Sequence, residues 1–178
     1  MAFLVKNKVK VSEKARPKID SRKAHRNYIQ LLRAATSGVL TPEEFRMNSE
    51  ALKTLKLGDE SYRAQMIRAQ AMYHKDWLSL NESRHRMRLA WAEFFREYDL
   101  LLCPTATTTA FPHNQNGERW ERMVMVNGKP QPSTTQMFWA GYSCNVYLPS
   151  TVAPAGFSSN GLPVGVQIIG PQYGDHSC

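Results

Sequence analysis

Residues 147–170 read YLPSTVAPAGFSSNGLPVGVQIIG, two apolar runs joined through Ser158, Ser159, Asn160 and Gly161. STVAPAGF and LPVGVQIIG both have strand character, with Val166 and Ile168 alternating with Gln167 and Ile169. Asn160-Gly161 is a hairpin-turn dipeptide, because both residue types tolerate positive φ. The pattern predicts a β-hairpin over 150–170. The paired serines raise a rival reading, a nucleophile loop. A nucleophilic serine needs a base within hydrogen-bond reach and donors aimed at the reacting carbonyl oxygen. GxSxG and SxxK are both absent, and serine is an ordinary turn residue. Local chemistry therefore reads the serines as a turn.

Outward from this hairpin, the second part of the chain is built of strands and loops. DLLLCP at 99–104 is a short apolar run bounded by Pro104, as expected of a strand buried on both faces. TATTTAFPHNQNGERW follows as a polar loop. ERMVMVNGKP predicts a hairpin turning at Asn127-Gly128, and TTQMFWAGYSC predicts a short helix. The first part is helical. TPEE at 41–44 is a helix start, with Thr41 as cap, Pro42 in the first turn and Glu44 closing a capping box. That helix is expected to reach about Lys56 and stop at Gly58, with Asp59 capping the next. Upstream, Asp20 caps a helix whose Tyr28, Leu31, Leu32 and Ala35 share a face, ended by Gly38. The spacing of Tyr62, Met66, Ala69, Tyr73, Trp77, Leu80, Met87, Trp91, Phe94 and Tyr98 predicts two consecutive helices or one bent helix. VKNKVKV at 5–11 alternates valine with lysine and predicts a short strand. Helices first and strands afterwards indicate an α/β or α+β layered fold.

At 178 residues the chain fits one domain with a real core. No apolar run approaches the roughly 18–20 residues of a membrane span. The start lacks a signal-peptide pattern, so a cytoplasmic protein is expected. The net charge of +8 is concentrated at the N-terminal end. Solvated helix and strand faces account for it, and no nucleic-acid motif accompanies it.

Cys103, Cys144 and Cys178 have no CxxC spacing, which argues against a disulfide framework or a zinc site. His74 and His85 share a helical face but lie about 16 Å apart, too far to share a metal. His113 and His176 have no identifiable partner in sequence. Glu118 and Glu121 flank Trp120 without forming a carboxylate pair across a substrate site. No metal site is expected from these residues.

A family resemblance then enters through particular residues. EFFREYDLLLCPT and PSTVAPAGFSSNGLPVGVQIIGPQYGD are similar to the C-terminal part of the amidase signature family. Further similarity runs through HKDWLSLNESRHRMR and ARPKIDSRKAHRNYIQLLRAA. The resemblance implies an α/β fold with helices packed on a mixed β-sheet. It also implies hydrolysis of carbon–nitrogen bonds in non-peptide amides by a Ser–cis-Ser–Lys mechanism that needs no metal or organic cofactor. In the family an unprotonated lysine acts through the bridging serine on the nucleophilic serine. The lysine and the Gly-Ser-rich stretch belong to the family's N-terminal half. No GGSSGG-like stretch occurs here, and Ser158-Ser159 matches the later hairpin.

The expectation is therefore a single partial domain over 1–178. Residues 1–98 are mainly helical after a short strand, and 99–178 are strands and loops. No catalytic residue is assigned. Trp139, Asn145 and Thr105 are candidate substrate-pocket residues by position, within a wider set of Thr105–Thr109 and Phe138. The expected partners are a small-molecule amide in the full-length enzyme and a missing N-terminal half or a second copy. Neither a membrane nor a nucleic acid is expected. The chain alone is expected to be inactive. The alternative is a non-catalytic binding or assembly module derived from the same fold.

Overall fold

The computed structural model describes residues 2–178. Among the described residues six α-helices precede or interleave five strands: α1 (Ala2–Lys6), α2 (Ser21–Ala35), α3 (Pro42–Thr54), α4 (Tyr62–Gln70), α5 (His74–Phe94), β1 (Leu101–Pro104), β2 (Met123–Val126), β3 (Lys129–Pro132), α6 (Met137–Cys144), β4 (Ser150–Phe157) and β5 (Pro163–Ile169). One sheet has the order β1-β5-β4 and a separate ribbon pairs β2 with β3. All these pairings are antiparallel.

Local chemistry sets the helix ends. The Asp20 carboxylate accepts from the Arg22 and Lys23 N–H groups, which starts α2 and lowers the acid's pKa. At α3 the Thr41 hydroxyl accepts from Glu44 N, and the Glu44 carboxylate accepts from Thr41 N at 2.7 Å. The expected capping box is complete. The next cap differs from expectation. Ser61, not Asp59, accepts from Ala64 N at the start of α4, while Asp59 accepts from Ser61 N. Helix α2 ends at Ala35, and Gly38 falls within a 3-10 turn over Ser37–Val39. Helix α3 stops at Thr54, short of Lys56.

The strand expected at 5–11 is not formed. Residues Ala2–Lys6 are helical, and the helix closes with Lys8 at φ 63°. Val9 N donates to Leu4 O and Lys8 N donates to Val5 O, the bond pair of a Schellman ending. A period of two makes a strand only where another strand accepts its bonds. Here a local closure satisfies the backbone instead.

The long periodic segment resolves into α4 and α5, separated at Ala71–Tyr73. Helix α2 lies at the centre of the helical layer and packs on α4, α5 and α6. Ile29 and Leu31 of α2 are buried, as are Ala64, Ile67 and Ala69 of α4. Buried Asn27 donates to Leu80 O at 2.9 Å, which ties α2 to α5. Gly141 lets α6 approach α2. A Cβ there would enter the ring of Tyr28.

The main apolar cluster joins the helices to the sheet. Trp91 is 1% exposed and packs with Leu101, Cys103, Val146 and Ile169. Its ring meets Tyr142 edge-on at 5.1 Å and stacks on Phe95 at 5.7 Å. Strand β1 is covered on one face only, contrary to the expectation of burial on both. Leu101 and Cys103 face the cluster, whereas Leu102 and Pro104 are exposed.

Both expected hairpins form. Asn127 and Gly128 have φ of 50° and 75°, the two positive values a type I′ turn requires. β4 and β5 pair from Ser150–Ile169 to Phe157–Pro163, with a bulge between Pro154 and Gly156.

Candidate functional site

The serine question has a geometric answer. Ser158 N donates to Leu162 O at 2.9 Å, closing a five-residue turn. The Ser158 hydroxyl accepts from Leu162 N at 3.1 Å, and Asn160 Oδ1 and Leu162 O lie at 2.6 and 3.0 Å as acceptors for its proton. Gly161, at φ 77°, takes the left-handed position alone. Among the described residues no serine hydroxyl is hydrogen-bonded to a lysine or histidine side chain.

Asn145 closes α6 and is buried, with its amide 3.7 Å from Met87 Sδ. It lines a cavity of about 10 Å³ together with Phe138, His25, Trp91 and Tyr142. That volume corresponds to about one water-sized site. Trp139 is half-buried and packs against the Trp91 cluster, meeting Phe138 edge-on at 5.0 Å. Thr105 follows β1, with its methyl beside Gly165. Asn145 and Phe138 therefore share a cavity, while Trp139 and Thr105 lie outside its lining. One side chain links the two neighbourhoods. Gln136, just before α6, accepts from Thr107 N at 3.0 Å and donates to Thr108 Oγ1 at 3.3 Å. The threonine loop and the aromatic start of α6 are thus held together.

A buried polar chain runs beneath this region. Gln167 donates to Ser143 Oγ at 2.9 Å, Ser143 and Ser150 hydroxyls are 3.2 Å apart, and the Cys103 thiol points to Gln167 Oε1 at 3.8 Å. Burial pushes the Cys103 thiol up to about 11. It stays protonated at neutral pH, which suits a packing residue rather than a nucleophile. Burial also lowers the pKa of His25, because desolvation disfavours the charged ring.

Two larger clefts open on the helical layer. One, about 420 Å³, lies between α2, the start of α4 and the 120–135 segment, with Arg22, Arg26, Arg63 and Trp120 among its walls. The other, about 440 Å³, lies between α3, α4 and α5 and includes Leu52, Arg68, Met72 and Tyr73. In sequence the arginines of the first cleft look like a solvated helix face. The available signal is Arg22 and Arg26 at i and i+4, with no acid in the first turn of α2. His74 and His85 form no site, and His74 stacks on Trp77 at 6.1 Å. Among the described residues no group of three or more His, Cys, Asp or Glu side chains could hold a metal ion. Among them, too, no helix is long and apolar enough to cross a membrane.

Comparison with known proteins matches the family model described as Amidase to residues 2–178. This chain belongs to the amidase signature family. Among curated relatives, the A subunit of glutamyl-tRNA(Gln) amidotransferase from Halothermothrix orenii is 31% identical over 122 residues, covering 66% of this chain and 23% of that protein. The protein of the same name from Thermosynechococcus vestitus is 33% identical over 117 residues, covering 64% and 22%. This amidase-signature chain thus spans about a quarter of the length of these curated relatives. Its fold matches an amidase crystal structure with a TM-score of 0.64 at 21% identity, covering 99% of this chain and 37% of that one. It matches 6-aminohexanoate cyclic dimer hydrolase with a TM-score of 0.61 at 18% identity, covering 99% and 36%. The α/β fold and the family are established together.

Proposed function

We propose that this chain forms the C-terminal portion of an amidase-signature hydrolase, which cleaves carbon–nitrogen bonds in non-peptide amides. The observation that carries this reading is the family match over residues 2–178 in a chain that spans only about a quarter of its curated relatives. In this reading 1–178 is one partial domain of a cytoplasmic enzyme. The Ser–cis-Ser–Lys residues are supplied from outside it, and the chain contributes structure and pocket walls.

Thr105, Trp139 and Asn145 are the proposed walls. The Gln136 bridge supports this, because it fixes the threonine loop against the start of α6. A preformed wall lowers the ordering cost of binding a substrate. The proposed partner is the family's N-terminal half, which would cover the exposed β4 strand. The relatives are named as one component of a multi-chain amidotransferase, so assembly with further chains also suits this fold.

The test is ammonia release from a panel of small aryl and aliphatic amides. The purified 178-residue chain is expected to release none. Co-expression with an amidase N-terminal half carrying the lysine and the Gly-Ser-rich stretch is expected to give a complex with turnover. Turnover by the chain alone would refute the placement of the catalytic residues. Failure to form an active complex with any such half would refute the hydrolase reading.

A further inference from the structure

The cleft between α2, the start of α4 and the 120–135 segment is built unlike an ordinary solvated surface. Its lining contains three guanidinium groups, Arg22, Arg26 and Arg63, and one carboxylate, Glu60. Glu60 is already paired with Arg26 at 3.0 Å. Arg22 and Arg63 have no carboxylate partner among the described residues. Two more guanidiniums stand nearby, with Arg33 and Arg119 at 5.5 and 6.0 Å from the Tyr62 ring that forms part of the wall.

The start of α4 adds to this positive field. Arg22 lies in the first turn of α2 and Arg63 in the first turn of α4, and neither turn contains an acid. The positive N-terminal end of α4 makes Arg63 unfavourable there, whereas the Asp20 cap offsets that end of α2. A bound anion reverses the sign of that interaction. The guanidinium fork matches the planar oxygens of a carboxylate or phosphate. The remaining wall mixes the polar side chains of His25, Ser61, Gln65, Thr134 and Thr135 with a few apolar ones. Trp120 supplies the flat apolar element, with Arg63 5.9 Å from its ring centroid and Pro132 also in the lining. A volume of about 420 Å³ falls within the usual size of small-molecule sites.

We propose that this cleft binds a small ligand carrying an oxyanion on a flat ring, an aryl carboxylate or aryl phosphate. Arg22 and Arg63 hold the oxyanion, and Trp120 contacts the ring. The site is independent of the carbon–nitrogen bond chemistry proposed above, so either reading can fail without the other.

Isothermal titration calorimetry with benzoate, phenyl phosphate and benzyl alcohol tests it directly. At least one anion is expected to bind saturably, and the neutral alcohol at least about tenfold more weakly, as loss of one charge-assisted contact implies. Arg22→Gln and Arg63→Gln are each expected to weaken the anion about tenfold. Both side chains are exposed, so circular dichroism is expected to be unchanged. Trp120→Leu is expected to weaken phenyl phosphate but not inorganic phosphate. Arg46→Gln, on α3 outside the cleft, is expected to change nothing. Preference for benzoate or for phenyl phosphate identifies the oxyanion, and both outcomes support the site. Benzyl alcohol binding as well as either anion would overturn the proposal. So would equal loss in Arg46→Gln, or the absence of saturable binding by both anions.

Discussion

Helix α2 has Ala24, Asn27, Ile29 and Leu31 buried, and it packs on three other helices. Strand β4, by contrast, pairs with β5 on one side and is exposed along nearly its whole length, Phe157 to 79% and Val152 to 60%. The helix finds its partners within the described residues, whereas the strand finds only one. A strand with unpaired backbone and bare apolar side chains is a template for association. The helical layer reads as a finished core and the hairpin as an interface.

The largest expected effect tests the core side of that contrast. Trp91→Ala removes the ring that joins α5 to β1 and β5, and a loss of about 3–5 kcal/mol is expected from cavity formation. Urea unfolding followed by circular dichroism measures it. A loss below about 1 kcal/mol would mean the helices and the sheet are not held by this cluster. A smaller effect is expected at α3, which has no fully buried residue. Thr41→Ala removes one half of the capping box and is expected to cost about 1 kcal/mol in the same assay. The smallest stability change is expected on the hairpin. Val152→Thr with Phe157→Ser is expected to change the unfolding free energy by no more than about 0.5 kcal/mol. The same pair is expected to reduce self-association in sedimentation velocity and binding of a hydrophobic dye. A large stability loss there would show that β4 is packed, and would erase the contrast.

The legible parts of the fold are those decided by neighbours in sequence. The Thr41–Glu44 capping box and the Asn127-Gly128 turn need only a few adjacent residues, and both form as read. The alternation at 5–11 misleads because a strand depends on a distant partner, while the Lys8 closure depends on residues three to five positions away. One-sided burial of β1 is also illegible, since a short apolar run looks the same with one covered face or two. The candidate pocket residues come from family likeness, not from local chemistry. Only the structure shows that Asn145 and Phe138 share a cavity lining that excludes Trp139 and Thr105. The arginine cleft is hidden for a related reason. Its walls come from α2, α4 and the 120–135 segment, and no single window of sequence contains them.

The contact of Tyr28 with Gly141 has an evolutionary consequence. The tyrosine ring occupies the space where any larger residue at 141 would place its Cβ. The two positions hold one shared allotment of volume, so a change at either is constrained by the other. Relatives that carry alanine or serine at the equivalent of 141 are expected to carry a smaller side chain at the equivalent of 28. Such a pair of substitutions would drift together through the family, leaving the crossing of α2 and α6 where it stands.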